Sequence, residues 1–151
     1  MSVKTRTVLN LTQHKATPDQ LEDGVIDVKP IHLAVLKTAL TFNTLPEYDD
    51  YGIKERCDVL VFLVNNYKGV ENVMIGGAPW LMSPLVFAMH KANVNVFYAY
   101  SERVSEETMD PDTGIVVKTN VFKHVGLVED WGNATSEWIE PPYGAYVGEN
   151  A

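Results

Sequence analysis

Cysteine is almost absent from this chain: Cys57 is the only one among 151 residues. An intramolecular disulfide is therefore excluded, and so is any zinc site built on paired cysteines. Cations are scarce as well, with 12 Lys and Arg against 20 Asp and Glu, a formal net charge of −8. That sign argues against long DNA or RNA as a partner, because Lys and Arg must displace counterions from many phosphates. A small anion stays within reach, since a few local cations and backbone amides hold one whatever the global charge. Long apolar runs are missing too. The longest spans residues 59–64, far too short to cross a bilayer, so no membrane association is expected. The opening MSVKTRTVLN carries no apolar segment ending in a small-residue cleavage site, which sets the expectation of a cytoplasmic protein without a signal peptide.

Motifs for metal and nucleophile chemistry are equally lacking. There is no His-Glu-x-x-His, no Asp-x-Asp and no Gly-x-Ser-x-Gly elbow, so neither a metal nor a serine triad is expected. The acidic stretch EYDD reads as the exposed first turn of a helix. Cys57 lies in an apolar segment, where a thiol reads as inert packing.

What is present describes one soluble α/β domain. Hydrophobic residues make up 46% and charged residues 21%, enough to bury a core and too apolar for disorder. Residues 7–11 read as a buried strand. Thr17-Pro18-Asp19-Gln20 then starts a helix, with Thr17 as N-cap, proline in the first turn and Gln20 reaching back, and Gly24 closes it. A brief strand over 25–28 precedes a helix from Pro30 to about Phe42. Thr44-Leu45-Pro46-Glu47 repeats the start signal for a helix towards Tyr67. Its segment DVLVFLV reads as a strand on β-branched content and as a helix on continuity with the capped start, and the helix is the expectation taken. Residues 70–75 form the next strand, 80–92 a helix and 94–100 a strand ending at Ser101. This βαβααβαβ order predicts a largely parallel sheet with helices on both faces. Asp110 to Gly114 is then a hairpin turn between two extended runs. Residues 1–129 are read as the domain and 130–151, rich in aromatics and holding Pro141-Pro142, as an irregular tail.

In an open parallel sheet the ligand crevice lies beyond the carboxyl ends of the strands. Three segments are therefore expected to converge there: Thr12-Gln13-His14, Gly76-Gly77-Ala78-Pro79 and Ser101-Glu102-Arg103. The glycine pair serves either as a backbone cradle for an anion before a helix N-terminus or as a tight turn requiring positive φ. It matches neither the Walker loop nor the spaced-glycine dinucleotide fingerprint. His14 is either a general acid–base and phosphate donor or a strand-end histidine satisfied by backbone. Thr12 and Gln13 can bond a base, ribose or phosphate, or cap the turn. Arg103 and Lys118 are the candidate cations, Ser101 a candidate hydroxyl and Asn120 a candidate ligand contact on the hairpin. His32 and His90 fall within helices, and His124 fits either face of its strand.

At NLTQHKATPDQ, MIGGAPWLMSPL and VFYAYSER the chain resembles the small CRISPR-associated Rossmann-like proteins, the CARF group that includes stand-alone ring nucleases. The resemblance spans about residues 7 to 128 as scattered short blocks. It implies a Rossmann-like three-layer fold with a mostly parallel central sheet and a C-terminal β-hairpin. It also implies a homodimer whose two-fold site binds a cyclic oligoadenylate messenger and cleaves it without metal or cofactor. Carried over by position, His14 would be the acid–base or phosphate ligand, with Gly76 and Gly77 giving the backbone approach. Ser101, Arg103 and Lys118 would hold the phosphate. The scarcity of cations departs from that pattern. It leaves open a non-catalytic sensor or sponge, and a small enzyme of nucleoside or sugar phosphates is the further alternative.

Overall fold

The structure, a computed structural model, describes residues 6–46 and 51–132. The expected acidic helix turn at 47–50 and the aromatic tail from residue 133 lie outside the described residues. The elements run β1 (Val8–Leu11), α1 (Pro18–Glu22), β2 (Val25–Asp27), α2 (Pro30–Leu40), α3 (Tyr51–Asn65), β3 (Asn72–Ile75), α4 (Pro79–Lys91), β4 (Asn95–Met109) and β5 (Val116–Asp130). This is the expected order. The strands form one sheet in the order β2-β1-β3-β4-β5. The first four are parallel, and β5 returns antiparallel to β4. The chain is thus a mixed α/β protein with a mostly parallel sheet ending in a hairpin.

Local chemistry accounts for the helix starts. Thr17 accepts from the Gln20 amide at 3.2 Å, and the Gln20 side chain accepts from the Thr17 amide at 3.1 Å. This reciprocal box satisfies two donors that the first turn of α1 would otherwise leave open. Pro18, Pro30 and Pro79 each sit in the first turn of a helix, where the missing N–H costs nothing.

Strand alternation divides the core. Leu9, Leu11, Val73, Ile75 and Val96 face Leu36 and Leu40 of α2, Leu60, Leu63 and Val64 of α3, and Leu81, Leu85 and Met89 of α4. Each such leucine contributes about 1.5–3 kcal/mol through burial. Burial at positions 60, 63 and 64, with Phe62 left 71% exposed, has helical spacing. The stretch of β-branched residues is therefore helix, as continuity with the upstream start implied. The second face is thinner. Val8, Val25 and Met74 pack with Ala16 and Leu127, and α1 buries none of its five residues. The layers expected on both sides are unequal, because only α2–α4 supply wide apolar faces.

One boundary differs from the expectation. β4 does not stop at Ser101 but continues to Met109, paired throughout with β5. Residues 101–109 contain no Gly or Pro, so nothing ends the strand before the turn. There Asp110 accepts from the Asp112 amide, and Gly114 adopts φ +69°. The pairing shifts between Tyr100↔Gly126 and Ser101↔His124, leaving Val125 as a bulged extra residue.

Candidate functional site

β1 and β3 lie side by side, with Leu11 opposite Ile75 at their carboxyl ends. The chain leaves β1 for β2 on one side, and β3 continues to β4 on the other. Such a reversal of strand order opens a crevice between the two strand ends. The segments expected to meet there do so: a Cβ built on Gly76 would lie 3.5 Å from Thr12 Cγ2.

The β1 loop is organised by Asn10, 3% exposed and the one buried polar side chain among the described residues. Its amide donates to the His14 carbonyl at 2.7 Å and to Asp27 Oδ1 at 2.9 Å. Its oxygen accepts from the Thr12 amide at 2.9 Å and the Thr12 hydroxyl at 2.7 Å. All four bonding positions of the carboxamide are filled. Asp27 Oδ1 also accepts from the Ala16 amide at 3.0 Å, tying the end of the loop to β2. The Thr12 hydroxyl is thereby committed to holding the loop. Gln13 donates to Thr41 Oγ1 at 3.2 Å, at the end of α2. His14 keeps its main chain in the loop and its side chain exposed.

Gly77 adopts φ +143°, a conformation an L side chain resists. Ala78 then caps α4 without a side-chain bond, and no acid occupies the first turn. The amides of this end keep their donor capacity and the positive end of the helix dipole. Beside them stands an aromatic wall that the sequence reading missed. Trp80, 51% exposed, meets Phe42 edge-to-face at 5.5 Å. Arg56 lies 4.0 Å over the Phe42 ring. It donates to the carbonyls of Thr38, Ala39 and Thr41 at 3.1, 3.0 and 2.7 Å, closing the end of α2. A Trp just after a glycine pair and a proline was the available signal.

The hairpin candidates are placed differently. β3 ends at Ile75 while β4 continues past Phe97, the partner of Met74, so Ser101 and Arg103 rise on the carboxyl side of the sheet. Their side-chain contacts lie within the hairpin. Arg103 stacks at 5.7 Å on Phe122, Lys118 pairs with Glu107 at 3.6 Å, and Asn120 lies opposite Ser105. His124 faces the second side of the sheet, its Nε2 3.1 Å from Asp23 at the end of α1. His32 bonds the Tyr67 hydroxyl through Nδ1 at 2.6 Å.

A groove of about 1190 Å³ runs between α4 and the base of the hairpin, reaching the glycine loop only at Pro79. Its polar lining is engaged internally. Tyr98 donates to Asp130 at 2.8 Å, and burial followed by that bond pushes its hydroxyl up to about 12. Among the described residues no group of His, Cys, Asp and Glu is arranged to hold a metal ion, and no helix is long and apolar enough to cross a membrane.

Fold and site together define an α/β protein with a polar, glycine-bordered crevice at the carboxyl edge of its sheet. A family model matches residues 6–128, and the chain belongs to that family, described as the uncharacterized protein MJ1673 family. No curated protein and no solved structure matches the chain.

Proposed function

We propose that the crevice between β1 and β3 binds a cyclic oligoadenylate messenger within a Rossmann-like fold, two copies of the chain sharing one ligand. The observation that carries this reading is the meeting of the Asn10-organised loop with the Gly76–Gly77 loop at the reversal of strand order. The open amides at the start of α4 suit a phosphate, and the half-exposed Trp80 offers a face for a base. Cleavage would proceed without metal. The ribose 2′-hydroxyl attacks the adjacent phosphorus, the bond to the 5′-oxygen breaks, and a 2′,3′-cyclic phosphate and a 5′-hydroxyl result. His14 moves the proton, with Ser101, Arg103, Lys118 and Asn120 contributing from the hairpin.

A second reading, binding without cleavage, is favoured by one observation. Arg56, the cation beside the crevice, spends its donors on the end of α2, leaving little charge to stabilise a phosphorane. Incubating the full chain with cyclic tetra-adenylate and separating the products decides between the two. Linear product ending in a cyclic phosphate supports cleavage, and intact ring retained by the protein supports binding alone. Intact ring that does not associate with the protein removes both. In that case a thermal-shift screen of mononucleotides and sugar phosphates tests the remaining alternative.

A further inference from the structure

We infer that the outer face of the α2–α3 pair is the surface on which a second copy of this chain docks. α2, PIHLAVLKTAL, carries only His32, Lys37 and Thr38 as polar residues, yet it buries only Leu36, Ala39 and Leu40. Ile31 is left 79% exposed and Val35 44%. A helix apolar on every side is normally covered on more than one side, and within this chain it is covered on one. α3 repeats the mismatch, with Phe62 exposed beside the buried Leu60 and Leu63. Between the two helices lies a cavity of about 520 Å³, lined in part by Ala34, Thr38, Gly52 and Val59. Nothing lies within 4 Å of a Cβ built on Gly52, so a partner helix can approach the backbone closely.

Charge selects the occupant. Lys37 is the only Lys, Arg, Asp or Glu of α2, and Glu55 stands on the α3 rim of the cavity; both are exposed. Neither forms an ion pair with another described residue. A two-fold axis that lays α2 of one copy on α3 of the other pairs Lys37 with Glu55 twice, as a self-complementary interface requires. An acidic partner would satisfy Lys37 and oppose Glu55, and a basic one the reverse. A second copy answers both. This inference stands apart from the ligand reading, since it uses no residue of the crevice loops.

Sedimentation equilibrium of the full chain tests it. The wild type is expected to be a dimer. Val35→Glu and Ile31→Lys are each expected to raise its dissociation constant at least ~30-fold with an unchanged circular dichroism spectrum. Lys37→Glu should weaken association, and adding Glu55→Lys should restore it, a reversal that misfolding cannot produce. A wild type that stays monomeric at every concentration overturns the inference. So does a dimer that survives Val35→Glu and the Lys37→Glu change but is lost on Phe122→Ser, which would place the interface on the hairpin.

Discussion

Asn10 and Asp27 meet across neighbouring parallel strands, Nδ2 to Oδ1 at 2.9 Å, and from that contact the β1 loop takes its shape. Asn10→Ala would strand the Thr12 amide and the Asp27 carboxylate on a poorly solvated face. The expected loss is about 2–4 kcal/mol of unfolding free energy, measured by urea denaturation. A loss under ~0.5 kcal/mol would mean that the loop holds itself without Asn10.

Gly77 is held at φ +143° beside Met82. Gly77→Val is expected to cost roughly 1–3 kcal/mol of stability and to move the α4 amides off their positions. Ligand binding should weaken more than tenfold even where the variant remains folded, as read by titration below its melting temperature.

Replacing His14 by alanine separates chemistry from binding. If its imidazole moves the proton, turnover of cyclic tetra-adenylate should fall at least ~100-fold with little change in affinity. Unchanged turnover removes His14 from the reaction.

Two buried groups set the alkaline limit of stability. Burial, then the nearby Asp58 charge, pushes the Cys57 thiol from 9.0 up to about 11. Burial, then the bond to Asp130, pushes Tyr98 from 10.0 up to about 12. The unfolded chain releases both protons at lower pH than the folded one. Their stabilising contribution is therefore complete below pH 9, falls as pH rises through the folded values, and is gone above them. Melting temperature should decline across pH 9–12, and Tyr98→Phe should flatten the upper part of that decline. At neutral pH Cys57 should react with iodoacetamide ~100-fold more slowly in the native than in the unfolded chain, from the thiolate fraction alone.

Much of this architecture was legible because local signals and burial agree. The capping box at Thr17 and Gln20, proline in the first turn of α1, α2 and α4, and glycine after β3 each mark the boundary where the chain turns. The contact between Thr12 and Gly76 followed from the rule that places crevices at strand ends. The extension of β4 to Met109 was not legible from the polar Ser101-Glu102-Arg103, which reads as a loop until its pairing with residues 122–124 is seen. Asn10 looked like part of an apolar run, since only the loop it satisfies reveals why a carboxamide sits there. Trp80 was read as a helix residue because its neighbour Phe42 lies 38 positions away, beyond any local pattern.

The most direct test of the crevice is calorimetric titration of cyclic tetra-adenylate into the full-length protein, beside Gly77→Val and Trp80→Ala. The expected result is saturable binding of one ring per two chains, weakened more than tenfold by each substitution. Absence of binding, or binding that both substitutions leave untouched, would contradict a ligand site between β1 and β3.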